Sequence, residues 1–373
     1  MAPGMLAVRR LTLSEFRGYR DARLELAARP LVLTGPNGAG KTNLLEAVSM
    51  LAPGRGLRRV RLSEMARLGG SGTWAVAAHV EGPGGGHDLG TGLTDGERRA
   101  VRIDGKSGGG PAGFGDLIGV QWLTPQMDRL FVEAAASRRR FLDRLVFGVD
   151  PAHARRVAAY ERAMRSRNRL LRERGGDSAW LTALEGQMAA TAIAVAAARR
   201  DAVARLSAAL AQSVGPFPRA RLALDGDLEN GLDAEPAVEV EQRFADRLKA
   251  NRAADAAAAG AIAGPHKTDL LVWMMGPDTP AAQCSTGEQK ALLIAIVLAN
   301  ARLETARRGA APVLLLDEVA AHLDPDRRTA LFAEILALNA QAWLTGTDRD
   351  WFDELRGRAG FLAVRDATVT VEE

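Results

Sequence analysis

A chain of 373 residues with 47% hydrophobic content can build a sizeable core, spread over two or three domains. One cysteine, Cys284, excludes a disulfide framework, and no uninterrupted apolar run of about 18 residues is present to cross a bilayer; a reducing, cytoplasmic setting without a membrane partner is expected. The net charge of +4 rests on arginine (all but five of the 49 basic residues), which suits nucleic acid without requiring it.

The first stretch, MAPGMLAVRRLTL, offers no apolar segment long enough for a leader, so none is expected, and Met5 is an equally good start. Residues 6–13 alternate enough to predict a strand, and 16–26 a turn and a second strand. In PLVLTGPNGAGKTNLLEAVSMLAPG a strand over 31–34 enters a glycine loop, and a helix follows until Pro53. WAVAAHV (74–80) predicts a strand; the glycine-rich stretches 82–92 and 107–115 read as hairpin loops or connectors between antiparallel strands. From Ser137 to Ala211 the pattern is helical, broken by Gly175-Gly176-Asp177 into two long helices and ended by Pro216-Phe217-Pro218. A short strand (221–228) and a helix (236–260) follow. Beyond residue 264, strand and helix alternate: LLVWM, a helix over 286–307, the buried strand VLLLDE, a helix over 325–338, and AWLTGT.

Three of these stretches carry chemistry. GPNGAGKT fits the phosphate-loop pattern: in the loop of Gly35, Pro36, Asn37, Gly38, Ala39 and Gly40 the backbone N–H groups (Pro36 has none) can converge on phosphate oxygens, Lys41 would reach the β- and γ-phosphates of ATP, and Thr42 would ligate Mg2+. Asp317, at the end of VLLLDE, would hold Mg2+ through water, and Glu318 would polarise the attacking water. In CSTGEQ, Ser285 and Gly287 open a helix whose N-terminus suits a γ-phosphate; Ser285 with Glu288 also fits a plain capping box. The segment resembles the S-x-G-Q signature of ABC-type ATPases, in which the phosphate belongs to the other subunit; Glu288 before Gln289 departs from that pattern. Asp324 in AHLD resembles their D-loop, and Gln126 is a candidate to bridge Mg2+, with Gln121 as its rival. Thr347 stands where such ATPases place a switch histidine. A threonine donates one hydrogen bond but carries no charge, so slow hydrolysis is expected.

Basic clusters supply candidate DNA contacts. Between 155 and 174 stand eight arginines (Arg155, Arg156, Arg162, Arg165, Arg167, Arg169, Arg172, Arg174) against two glutamates; RGLRRVR adds Arg55, Arg58, Arg59 and Arg61. Either set also reads as a solvated face. Aromatic residues are 5% of the chain and are not interleaved with the arginines, which favours duplex backbone over stacked single strands. Arg17 suits the nucleotide or a turn, Arg138 to Arg140 DNA or acids of the head, and His266 with Lys267 a structural anchor or a ligand contact.

Taken in order, FRGY (16–19), GPNGAGKTNLLEA, SRRRFLD (137–143), YERAMRSRNRLL (160–171), GPHKTDL (264–270), LLLDEVAAHLD and LTGTD resemble the RecF family of bacterial recombination ATPases over essentially the whole chain. The resemblance implies an α/β ABC-type P-loop ATPase head, mixed sheet plus antiparallel strands, in two segments (1–145 and 262–373) around an inserted helical arm (146–261). It implies a weak, DNA-stimulated, Mg2+-dependent ATPase that forms a homodimer on ATP, Ser285 acting in trans. It implies binding to duplex or single-strand/double-strand junction DNA and, with RecR, help in loading RecA at gaps coated by single-strand-binding protein; the competing readings are an ATPase subunit of a membrane transporter and a nucleotide-gated DNA-binding module without significant hydrolysis.

Overall fold

The computed structural model describes residues 4–94, 98–173, 178–213 and 215–372; the Gly175-Gly176-Asp177 break and Arg174 lie outside them. In chain order the elements are β1 (Ala7–Phe16), β2 (Tyr19–Glu25), β3 (Leu31–Thr34), α1 (Lys41–Ser49), β4 (Trp74–Gly82), β5 (Gly85–Leu93), β6 (Arg99–Ile103), β7 (Lys106–Ser107) and β8 (Val120–Leu123). Next come α2 (Ala135–Val149), α3 (Ala152–Arg172), α4 (Ser178–Ala211), β9 (Ala220–Asp225), α5 (Asp227–Ala234), α6 (Ala237–Ala250), α7 (Arg252–Ala257), β10 (Asp269–Met274) and β11 (Thr279–Pro280). The chain ends with α8 (Thr286–Arg308), β12 (Val313–Leu316), α9 (Pro325–Ala337), β13 (Ala342–Gly346), β14 (Gly360–Arg365) and β15 (Thr368–Glu372).

Two compact units result: Met1–Asp128 with Ser213–Pro218 and Ser285–Glu373, and Arg129–Gln212 with Arg219–Cys284. The second takes in 129–145 and 262–284, which the sequence had assigned to the head. The reason is local. Arg138 on α2 binds Asp269 of β10 through two bonds, Nε to Oδ1 at 2.8 Å and a terminal nitrogen to Oδ2 at 2.6 Å, which fixes both segments in one core.

The first unit holds two six-stranded sheets. One is antiparallel, in the order β2-β1-β4-β5-β6-β7. On β4 the alternation predicted from sequence buries Trp74, Val76, Ala78 and Val80 on one face. The glycine stretch 82–92 is mostly strand β5 rather than loop, paired with β4 from Trp74↔Leu93 to Gly82↔Gly85. Glycine is used for proximity there: a Cβ on Gly92 would stand 2.5 Å from the Trp74 carbonyl oxygen. The other sheet runs β15-β14-β3-β13-β12-β8, parallel except for β15. β3, β13 and β12 are short and buried at every residue, as central strands covered on both faces must be, and β8 at the sheet edge is buried as well.

In the second unit α4 is the central element, packed by α3, α6 and β9. It is long and apolar enough to cross a bilayer by length and composition, yet Met188, Ala192, Ala196 and Leu206 are buried in this core. The helical region makes three helices instead of two, because Pro151, which lacks an N–H, interrupts it ahead of α3. The expected 236–260 helix is likewise split, at Asn251.

Charge is buried here in pairs. Arg199 of α4 holds Asp143 of α2 through two bonds (2.9 and 3.0 Å), and His153 Nε2 donates to the same carboxylate at 2.8 Å. Burial pushes the Asp143 carboxyl up, but adjacent Arg199 and the hydrogen bonds from His153 and Arg199 outweigh it and hold the group well below the usual carboxylate range. A folded-state pKa below the unfolded one adds stability above about pH 4, lost as pH falls through that value towards the folded pKa. Asp143→Asn is expected to cost about 3–5 kcal/mol at pH 7 by leaving buried Arg199 with only the Pro265 carbonyl and the more distant Glu229, and the gap to wild type should narrow below about pH 4 in urea denaturation. A pH-independent gap would contradict this.

Candidate active site

The parallel sheet brings the sequence motifs to one edge. β3, β13 and β12 are neighbours with the same direction, so the loop after β3 and the acids after β12 leave at their common C-terminal ends. Two glycines of the loop are obligatory. Gly35 has φ 147°, and a Cβ would sit 2.1 Å from the Val364 carbonyl oxygen; Gly40, capping α1, has φ 110° against the Tyr19 hydroxyl.

Within this frame Thr42 Oγ1 donates to Asp317, 3.0 Å from Oδ1 and 3.1 Å from Oδ2. The hard oxygens of Thr42 and Asp317 fit Mg2+, whose remaining positions phosphates and water would fill. Lys41 is 5% exposed and donates to the carbonyls of Gly35 (2.6 Å) and Pro36 (2.9 Å), groups on the phosphate loop itself. Burial lowers its pKa; Glu318 and Asp317 act in the opposite sense. Asp317 is pushed up by burial, a shift opposed by hydrogen bonds from Thr345 and Thr42. Glu318, half-buried beside it, sits at φ 54°, a left-handed conformation rare for glutamate.

The remaining predicted residues are distributed as follows. Gln126 is exposed in a short 3-10 turn (Pro125–Arg129) just beyond β8, whose Leu123 carbonyl accepts from the Asp317 N–H at 2.9 Å. Its rival Gln121 is buried within β8 and donates to Glu304 of α8 at 3.1 Å, a structural bond. Thr347 is exposed one residue past β13. Asp324 caps α9, accepting from the Arg327 N–H at 2.9 Å. Ser285 caps α8 in a complete capping box with Glu288; its hydroxyl lies 2.7 Å from a Glu288 carboxylate oxygen. Gly287 is exposed, and a Cβ there would meet nothing within 4 Å. Packing within the chain therefore does not demand glycine, whereas close approach of a ligand to the helix tip would.

Arg17 is turned towards α1. Its guanidinium binds both oxygens of buried Glu46 on α1 (2.8 and 2.7 Å) and donates to the Glu64 carbonyl. Arg58 joins it, bound to Asn43 and Glu46, so it is turned towards α1 rather than outward; Arg55, Arg59 and Arg61 are exposed. On α3, Arg155, Arg162, Arg165, Arg169 and Arg172 are exposed at the spacing of one helical face, whereas Arg156 pairs with Asp150 and Arg167 is fully buried. Arg138 pairs with Asp269, an acid of the segment assigned from sequence to the head and found in the same unit as Arg138, and Arg139 donates to the Thr268 carbonyl. His266 is structural: Nε2 donates to the Ala261 carbonyl and Nδ1 accepts from Tyr160. Among the described residues no group of three or more His, Cys, Asp or Glu could hold a metal.

Two residues were missed. Thr345, fully buried on β13, touches both acids; its signal was a hydroxyl in an apolar strand. Lys290, 6% exposed on α8, lies 3.6 Å from Asp128 in the turn that carries Gln126. Burial lowers its pKa and Asp128 opposes the shift. A lysine one turn into an apolar helix was the available sign.

The RecF/RecN/SMC N-terminal domain family model matches residues 7–368. The DNA replication and repair protein RecF of Mesorhizobium japonicum is 49% identical over 372 residues, 98% of each chain. That of Rhizobium meliloti is 48% identical over 373 residues, 99% of this chain and 100% of its own. A solved structure of the recombination mediator protein RecF with ATPrS is similar at TM-score 0.85 and 18% identity, covering 100% of both chains. The Smc head domain of Pyrococcus furiosus matches at TM-score 0.53 and 15% identity, covering 99% of this chain and 96% of its own. At those identities the structural likeness speaks for fold: an ABC-type ATPase head, as the motifs implied.

Proposed function

The chain belongs to the RecF family of DNA replication and repair proteins, and from that premise we propose that it is an ATP-switched DNA clamp that mediates recombination. The observation that carries this reading is the Thr42–Asp317 contact, which joins the phosphate loop to the acids after β12 in a site made for a nucleotide and a hard cation. In it Lys41 exchanges the loop carbonyls for the β- and γ-phosphates. Thr42 and Asp317, with Gln126 from its exposed turn, would hold Mg2+, which when bound offsets phosphate charge. Glu318 accepts a proton from water as the water oxygen bonds to the γ-phosphorus and the bond to the β,γ-bridging oxygen breaks, giving ADP and phosphate.

Ser285 and the open space at Gly287 serve a second copy's γ-phosphate, so ATP closes two heads face to face and hydrolysis releases them. The exposed arginines of α3, with Arg55, Arg59 and Arg61, grip duplex or junction DNA by its phosphates. RecR is the partner through which RecA is loaded at gaps coated by single-strand-binding protein, in the cytoplasm.

The test is DNA binding with ATP, ADP or no nucleotide at two salt concentrations, with sizing by light scattering. Lys41→Ala should lose the nucleotide response. Ser285→Arg should bind ATP yet stay monomeric. Arg165→Ala with Arg169→Ala should lessen the slope of log K on log salt by about 0.9 per arginine. Normal dimers from Ser285→Arg would sink the in-trans assignment; DNA affinity indifferent to nucleotide would sink the clamp.

A further inference from the structure

We infer that Thr345 is a positioning residue that sets the metal-binding acid and the general base relative to each other. It stands on β13, between the phosphate-loop strand β3 and the acid-bearing strand β12, with no exposed surface. Its Oγ1 accepts the Glu318 N–H at 2.8 Å and lies 2.8 Å from Asp317 Oδ1. A hydroxyl has one proton, and an ionised carboxylate can only accept, so that proton goes to Asp317. The relay runs one way: Glu318 N–H to Thr345 oxygen, Thr345 O–H to Asp317.

Each bond fixes something the site needs. Glu318 holds a backbone angle, φ 54°, that costs free energy in a residue with a Cβ and persists only where neighbours over-determine it. The Thr345 oxygen is the partner that holds this N–H. Asp317 is gripped from two sides, by Thr42 on α1 and Thr345 on β13, so its carboxylate cannot rotate away from the loop. One buried hydroxyl thus registers the two acids, whereas Thr347, one residue past the end of β13, is exposed.

The inference rests on Asp317 as metal ligand and Glu318 as base, and its test separates the two. Thr345→Val keeps the shape and removes the hydroxyl; Thr345→Ser keeps the hydroxyl. In Thr345→Val without nucleotide, the Glu318 amide should exchange with deuterium at least about tenfold faster. Mn2+ affinity of the ATP-loaded protein, read by electron paramagnetic resonance, should weaken about 10–100-fold, the usual loss when an outer partner of a ligand is removed. Turnover should fall over the same range with KM for ATP nearly unchanged, and Thr345→Ser should restore all three. If valine prevents folding, Thr345→Ala compared with Thr345→Ser gives the same contrast. Wild-type exchange and Mn2+ affinity in the valine variant, or a serine variant as impaired as valine, would overturn the inference. Because exchange and Mn2+ binding need no turnover, an inactive wild-type protein would count against Glu318 as base while they still decide Thr345.

Discussion

Glu318→Gln should keep ATP bound and nearly abolish its hydrolysis, lowering turnover by about 10²–10⁴-fold, the contribution of a positioned general base. The side chain keeps its size and loses its ability to accept a proton. Little else changes. The Thr345 bond to residue 318 is to its backbone N–H and survives, and the Thr42–Asp317 contact is untouched. Affinity for ATP should therefore stay within about threefold of wild type. If ATP closes the heads and hydrolysis opens them, the variant accumulates as a stable ATP-bound dimer that leaves DNA slowly. Phosphate release and light scattering with ATP read the two effects separately. Undiminished phosphate release would remove Glu318 from the mechanism; lost release without a lasting dimer would uncouple hydrolysis from opening.

The parts of this site that could be read from the sequence share one property: local chemistry fixes them. LVLT before GPNGAGKT and VLLL before Asp317-Glu318 are continuous apolar runs ending in polar residues, which in a covered parallel sheet admits one reading. What could not be read depends on partners distant in sequence. Thr345 and Thr347 stand two residues apart in one run, and only the end of pairing with β3 at Gly346 makes the first buried in β13 and the second exposed beyond it. Arg58 resembles Arg55, Arg59 and Arg61 until α1 presents buried Glu46 to it. β5 looks like a loop because five of its nine residues are not bulky strand-formers but glycine or aspartate; the close approach of β4, invisible in the sequence, explains Gly86 and Gly92. β8 escaped notice because Gln121 interrupts four residues of strand; its amide nitrogen finds its acceptor, Glu304, on α8, in a segment far along the chain.

Arg167→Met should destabilise the helical unit by about 3–5 kcal/mol, whereas Arg165→Met, two residues away on the same helix, should cost under about 0.5 kcal/mol. Tyr160, Ala163, Arg167 and Leu170 form the inward stripe of α3, spaced i, i+3, i+7 and i+10. The guanidinium of Arg167 is fully buried. It binds Glu185 of α4 at 2.9 Å, Asp255 of α7 at 2.7 Å and the Leu248 carbonyl of α6 at 2.6 Å. Without it Glu185 keeps Arg252, but Asp255 retains only the Ile262 N–H for its buried charge. That stranded carboxylate, rather than any lost attraction, accounts for most of the expected cost. Urea denaturation followed by circular dichroism measures both variants, and equal midpoints for the two would refute the assignment. DNA binding should sort them in the opposite order. Arg165→Met, at conditions where both variants are folded, should lower the salt slope, and Arg167→Met should leave it unchanged. On the proposed reading, two arginines one helical face apart would do separable work, one holding the arm together and the other offering its charge to phosphate.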